Sequence, residues 1–379
     1  DSSCSFTGYS AGALSVSVDG SLTVKNTTNN AAVNGTENIG GFIAFVQDLE
    51  QGGVVSFEDC ANNGIAVGSE WSVGGFVGSV EGNTNITMTI SNSTNNGIFT
   101  GNNTIGGFVG SILLNDNVVM TFFKSTNNGN ITGNGAVGGF VGGTSLNIDM
   151  TMTISNSTNN GNVTGSNFTG GFAGIVVNYE EDNSVLINNC TNNGVINGAR
   201  AIGGFFGRVR QIEHSEVMIS CSKNHGVVTG LDDVGSFFGQ LSIGKNTSVH
   251  MINDTNSGDI TSYGNAGGFI GILSNPATTV IVNCSNNGSI KVRGRRYYVG
   301  GIIGVIRGGN TPQPSKLVLS SINNDHSIVV LCNSCSVGGL IGNVSEMVFV
   351  DIVIQDVTTN GLMVVNGSGT NSSIGGFIG

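Results

Sequence analysis

A glycine doublet returns along this chain at an almost constant interval, and no other feature restricts the fold so tightly. "GGF" or a close variant begins at Gly40, Gly74, Gly106, Gly138, Gly170, Gly203, Gly235, Gly267, Gly300, Gly338 and Gly375, with spacings of 34, 32, 32, 32, 33, 32, 32, 33, 38 and 37 residues. A second mark, "NNG", stands about ten residues ahead of each doublet, at Asn62, Asn95, Asn127, Asn159, Asn192 and Asn286; it degrades to "NHG" at Asn224, "NSG" at Asn256 and "NND" at Asn323. A fixed period in this range marks a repeat architecture, in which each unit buries its apolar face only against its neighbours. The repeats cover residues 29 to 379, and residues 1 to 28 are expected to form a lead-in strand or cap.

Within each unit the signals are those of strands. "TMTIS" at Thr87 and Thr151, "NVTG" and "VGGFVG" are short, rich in β-branched residues and bounded by Gly or Asn, and no stretch sustains a 3.6-residue apolar period. Three short strands per unit describe one coil of a parallel β-solenoid, so the expected fold is all-β, with about eleven coils of roughly 32 residues. At a strand spacing of about 4.8 Å the coils would make a rod on the order of 50 Å long. A propeller with one blade per repeat is the alternative, but eleven blades exceed the usual range of about four to eight.

Stacking coils puts like residues on like. Phe42, Phe76, Phe108, Phe140, Phe172, Phe205, Phe237, Phe269 and Phe377 are expected to form an aromatic core ladder, with Ile302 and Leu340 in the same column. The paired asparagines are expected to form amide ladders at a corner, each side chain bonding to the coil above or below. In "VGGFVG" both faces are apolar: Phe172 shares one with Gly170 and Gly174, whereas Val73 and Val77, or Ile202 and Phe206, share the other. One face lines the core. The other must meet a second layer of the same coil, another chain forming a lateral assembly stripe, or water.

The unit "NNG…V.G…VGGFVG" resembles the GLUG motif, named for its Gly-Leu-any-Gly core, with Phe in place of Leu at most copies. The motif recurs in tandem in secreted and surface proteins of bacteria and protists, including adhesin-like and protease-associated chains. The resemblance covers roughly residues 29 to 379 and implies an extracellular β-solenoid without chemistry of its own.

Composition narrows the partners. Charged residues are only 10% of the chain, and 13 basic against 24 acidic residues leave a net charge of −11, which argues against nucleic acid. No apolar run approaches the roughly 18 residues needed to span a bilayer. Sequons of the form N-x-S/T begin at Asn26, Asn34, Asn85, Asn92, Asn102, Asn130, Asn156, Asn162, Asn167, Asn189, Asn246, Asn253, Asn283, Asn287, Asn343, Asn366 and Asn371. Covalent N-glycans on them would solubilise a surface short of charge; no other cofactor is expected. Asn26, Asn92, Asn156, Asn189, Asn253 and Asn283 all lie five residues before the Gly of the "NNG" mark or its equivalent. Strict alternation would turn them inward, beside a small-residue column of Cys60, Ser93, Ser125, Ser157, Cys190, Ser222 and Cys284. Outward asparagines require the chain to turn a corner at that point.

Seven cysteines leave one unpaired. Cys332 and Cys335 in "CNSC" are candidates for a local disulfide, Cys190 and Cys221 for a bridge between neighbouring coils, and Cys4 for a free or intermolecular thiol. No catalytic constellation recurs with the repeat. His214, His225, His250 and His326 share no column and are expected at the surface. The acidic runs Glu58-Asp59, Glu180-Glu181-Asp182 and Asp232-Asp233 read as solvated loops rather than the paired carboxylates of glycan-cleaving enzymes. The calcium-binding nonapeptide of β-rolls is absent, "TxT" is too sparse for an ice-binding face, and "KVRGRRYY" from Lys291 reads as a solvated edge or an anionic-glycan contact.

Charge is uneven. Residues 1 to 199 carry two basic groups, Lys25 and Lys124, and fourteen acidic ones, whereas residues 200 to 379 carry eleven basic and ten acidic. The sequence stops at "IGGFIG" in mid-unit, so two expectations stand: an excerpt of a longer array, or an open coil that stacks head to tail on another copy. The expected function is that of an extracellular N-glycosylated structural protein, the protomer or repeat segment of a surface fibril made of copies of itself with possible lateral contacts. The alternative is a cell-surface adhesin for carbohydrate or a host protein; a polysaccharide-active enzyme ranks last.

Overall fold

The computed structural model describes the chain except residues 1–3, 19, 48, 50–51, 178–181, 296, 309–314, 346–349 and 367–371, together with the side chains of residues 16, 211–212, 295, 332–333 and 350. The described residues form a parallel β-solenoid. The chain visits five parallel sheets, A to E, in a fixed order; two of them hold twelve strands and three hold eleven. Coil 3 serves as the type: A is Ala66–Gly68, B Ser72–Gly74, C Val77–Glu81, D Thr84–Ser91 and E Thr94–Asn95. Each coil therefore holds five strands where the repeat pattern suggested three. The two extra elements, B and E, are only two or three residues long, too short to carry a periodicity of their own. The lead-in is itself a coil: Ser5–Gly8 and Leu22–Lys25 pair in register with Ala32–Gly35 and Val55–Glu58 of coil 2.

The two apolar faces of "VGGFVG" belong to two different cores. Val73, Ile105, Val137 and Ile202, which precede the doublet, pack against sheet A residues such as Phe99, Ile131, Val163 and Ile196. Phe76, Phe108, Phe140 and Phe172 pack instead with Val77, Val80, Met88 and Ile90 of sheets C and D. Val77 thus lies with Phe76 rather than with Val73, against the expected alternation, because the chain crosses a waist at the doublet. A second layer of the same coil covers both faces. Ala173 is fully buried in its own chain, which removes this strand as a lateral assembly stripe.

The waist explains the glycines. A Cβ at Gly75 would stand 2.0 Å from the Gly107 carbonyl oxygen and 2.9 Å from Asn95 Oδ1, and one at Gly139 would stand 2.0 Å from the Gly171 oxygen and 2.6 Å from Asn159 Oδ1. A side chain added at either position would press on neighbouring backbone, since such contacts lie far inside van der Waals distance. Where coil 8 has Ser236 in this column, its hydroxyl donates to the Gly268 carbonyl.

The paired asparagines split across strand E. The first of each pair is buried at the waist: Asn29, Asn62, Asn95, Asn127, Asn159, Asn192, Asn224, Asn256, Asn286 and Asn324 form one chain of amides, each Nδ2 donating to the next Oδ1 at 2.7–3.3 Å. The second is exposed and runs the other way, Asn193 donating to Asn160, Asn160 to Asn128, and so on to Asn30. One ladder is therefore internal rather than at a surface corner. In coil 10 the register places Asn324, not Asn323, opposite Asn286, so the mark there is "NDH" from Asn324. A further buried amide ladder, Asn83 to Asn115 to Asn147 at 2.9 Å per step, lies between sheets C and D.

The Phe ladder is continuous from Phe42 to Phe269 at 4.7–5.0 Å per step. Its rings tilt by 31–38° in the coils where sheet D adds Phe57 or Phe122 edge-on, and by only 16–22° from Phe140 onward. Phe377 keeps the column, its carbonyl accepting from Leu340 N–H, but it is 48% exposed and is not a core residue.

Candidate functional site

Between strands D and E the backbone turns at one residue per coil. Asn26, Asp59, Asn92, Lys124, Asn156, Asn189, Cys221, Asn253, Asn283, Ser321 and Asp356 all have φ between 49° and 59°. This left-handed conformation, which Asn and Asp adopt most readily among residues with a Cβ, flips the side chain from the inner to the outer side. The six sequon asparagines of the column are all exposed; the residue that follows is buried after five of them and half-buried, as Thr27, after Asn26. Ser93, Ser125 and Ser157 there accept a backbone N–H from the preceding coil at 3.1–3.4 Å.

The corner also settles the cysteines. Cys190 is buried on its inner side and Cys221 stands exposed on its outer side, so both are free and the expected bridge between them is not formed. Cys60 and Cys284 are likewise buried and free, Cys4 is exposed and free, and burial pushes the Cys190 and Cys284 thiols up to about 12. Cys335 is disulfide-bonded; the side chain of Cys332 lies outside the described residues.

Sixteen of the seventeen sequon asparagines are described, Asn371 being the exception. None is buried: Asn34, Asn167 and Asn343 are half-buried and the other thirteen exposed. Conversely, among the described residues sixteen asparagines are buried, and not one of these begins a sequon. Two populations of the same residue type are kept apart, one bonding the coils and one facing solvent.

A second surface feature lies along the seam between the start of strand B and the outer side of strand C. In coils 3 and 4 hydroxyls close it: Ser72 Oγ lies 2.8 Å from both Thr104 Oγ1 and Ser111 Oγ, and Ser111 Oγ donates to Ser79 Oγ at 3.0 Å. In coils 8 and 9 Asp233 closes it, accepting from Gln240 and, at 2.8 Å, from Asn265 Nδ2. Between them the columns carry Ala136, Gly143 and Ile175, and a groove of about 390 Å3 opens, edged by Asn103, Asn167, Phe168, Arg208 and Arg210. Arg208 lies over the Phe168 ring at 5.2 Å. The lining offers amides, hydroxyls, an aromatic ring and cations, a set suited to binding a polar ligand rather than transforming one.

Three buried titratable groups escaped the sequence reading. Asp233 is 3% exposed, not part of a solvated run, and burial raises its carboxyl to about 6 despite its amide donors. Asp254 is fully buried in the small-residue column, accepts from Ser222 N–H at 2.8 Å and Ile252 N–H at 3.1 Å, and is raised to about 7 by burial. Its position four residues before Gly258 was a signal available in the sequence. His326 is buried, not a surface histidine; it takes the place of the Gly in the "NNG" column, its Nδ1 lies 3.2 Å from Asn286 Nδ2, and burial lowers it to about 4. His225 replaces an outer-ladder Asn and bonds Ser257; His214 and His250 lie elsewhere. In the basic cluster Lys291 lies 3.6 Å from Asp259, Arg293 is exposed and Arg296 is outside the described residues, as are Glu180 and Glu181. Among the described residues no group of three or more His, Cys, Asp or Glu could hold a metal ion. Compared with family models, curated proteins and solved structures, the chain matches none, so the likeness to the GLUG motif rests on the repeat residues alone.

Proposed function

We propose that the chain is an extracellular, N-glycosylated structural rod, a segment of a surface fibril that associates with copies of itself. One observation carries this reading: buried asparagines hold the coils together and never begin a sequon, whereas every described sequon asparagine reaches the surface. Packing accounts for part of this separation, because the residue two after most ladder asparagines is a glycine with no room for a Cβ, as at Gly64, Gly97 and Gly129; the exposure of the described sequon asparagines is what supports glycosylation. Parallel sheets add the mechanical side, because each coil exposes the same register to the next, and amide and aromatic ladders bind neighbours along the axis. Glycans would supply the hydration that a surface of few charges lacks. Glycopeptide mapping of the native protein, with electron microscopy of the same material, tests the reading: glycans at corner asparagines and fibres are expected, and a bare chain or isolated rods would refute the respective half.

A second reading, an adhesin for a carbohydrate, is favoured by the seam groove. Its arginines lie in a chain of net charge −11, and a guanidinium fork suits a sugar carboxylate or sulfate. Binding of acidic glycans that is lost in R210A, without fibres, would favour this second reading.

A further inference from the structure

Sheet D turns one side to the core and the other outward. Its central outward column reads Thr23, Ser56, Thr89, Thr121 and Thr153 through coils 1 to 5, then Leu186, Met218, His250, Val280, Val318 and Val353 through coils 6 to 11. Ile252 and Val282 widen the apolar part on one side, and none of these side chains is buried. On the other side the column runs Ser184, Glu216, Ser248, Thr278, Lys316 and Asp351. Glu216 and Lys316 form no ion pair among the described residues. They stand three coils apart, about 14 Å along the rod.

We propose that this face docks on the same face of a second copy, with the two rods antiparallel about a two-fold axis that runs along the strands between Ser248 and Thr278. That axis exchanges coil 7 with coil 10 and coil 8 with coil 9. It sets Glu216 opposite Lys316 twice, because an isologous contact repeats every pair. It also sets Met218 on Val318 and Ile252 on Val282, apolar on apolar, with His250 on Val280 and Ser220 on Ser320 beside them. A two-fold along the rod axis reverses the strands instead, brings Glu216 to the Ser220 side and leaves both charges unmatched. Charge complementarity therefore selects the antiparallel arrangement.

The face is small. Five strand spacings of about 4.8 Å by five residues of about 3.3 Å give roughly 400 Å2 per copy in projection. That lies at the low end for protein interfaces, so weak association is expected. The contact deepens the reading of the chain as self-associating, and the two can fail separately: fibres from a chain that sediments as a monomer would keep that reading and sink this contact.

The test is sedimentation equilibrium of the full chain, with its native glycans and again after their enzymatic removal because Asn253 and Asn283 directly follow Ile252 and Val282, over a concentration series reaching as high as solubility allows. Each of E216K and K316E is expected to weaken association by about tenfold or more, by setting like charges opposite each other. A mixture of the two single variants, and the double variant E216K/K316E, should regain it, an outcome that misfolding cannot produce. V280K should abolish it. A wild-type chain that stays monomeric, single variants that associate as tightly as wild type, or a mixture no tighter than its components would each overturn the proposal.

Discussion

Coils 1 to 5 and coils 6 to 11 share one backbone and differ in what they place on it. In the first group the central outward column of sheet D holds Ser and Thr, the chain through coil 5 has two basic groups, Lys25 and Lys124, and the seam is tied by hydroxyls. In the second the same face is Leu, Met and Val, basic residues are frequent, and three buried titratable groups, Asp233, Asp254 and His326, occupy columns that hold uncharged residues elsewhere. The Phe ladder gives way there to Ile302 and Leu340. The inner amide ladder ignores the boundary and runs unbroken through both. The lesson concerns tolerance: a solenoid couples each coil only to its neighbours, so a column can change chemistry at one coil while the backbone register continues. Constraint is concentrated in the waist, where glycine and Asn recur in nearly every coil.

Substitutions can break or sharpen this contrast. The largest effect is expected from N159A, which strands the donor of Asn127 and the acceptor of Asn192 in the interior; with about 1–3 kcal/mol for each of these two unsatisfied groups, a local cost of roughly 2–6 kcal/mol follows. Hydrogen exchange of coils 4 to 7 reads it, and N256A should cost as much in coils 7 to 9 if the ladder is truly indifferent to the boundary.

D254S comes next and depends on pH. An acid whose folded pKa is raised from 3.8 to about 7 stabilises the fold only while protonated, so stability declines as pH rises across that window and is lowest above it. Replacing Asp254 with the Ser that other coils carry should therefore raise the stability of coils 7 to 9 by roughly 3 kcal/mol at pH 8 and change little below pH 4. Equal effects at both pH values would show that burial of charge is not the cause.

H326G should act with the opposite sign and less strongly. A buried histidine lowered to about 4 favours the fold above pH 6.5, and that contribution is lost as pH falls from 6.5 towards 4. The glycine variant should keep coils 10 and 11 protected at pH 5, by about 1–2 kcal/mol relative to wild type, where thermal scans or hydrogen exchange would register the difference. The smallest effect is expected from V318T, which makes the second group resemble the first on sheet D. A half-exposed column should change stability by less than about 0.5 kcal/mol, and a larger loss would mean that the face is already packed within the chain.

Much of this was legible in the chain. The period, the parallel stacking, the Phe column and the existence of asparagine ladders follow from spacing alone, whereas the burial of one ladder at the waist does not. The outward corner asparagines followed from an apparent contradiction in alternation, which φ near 50° resolves. Other features were not legible. "VGGFVG" looked like a strand with one face to spare because period-2 reasoning assumes a continuous strand, and here the chain breaks at the doublet between strands B and C. Cys190 and Cys221 looked close because they lie one coil apart, but they sit on opposite sides of the corner. Asp254 went unseen among Ser and Cys because its column was judged by its majority.

The sequence by itself determined which residues stack on which wherever the repeat keeps its length of about 32 residues, since a parallel array then admits one register per column; in the longer unit of coil 10 the structure was needed to place Asn324. Only the tertiary structure decided that each coil is pinched into two cores. The pinch depends on backbone atoms of neighbouring coils meeting where no Cβ intervenes, at Gly75 against Gly107 and Gly139 against Gly171. A repeating glycine signals a close approach, but which strand approaches, and from which side, is set by contacts a full coil away.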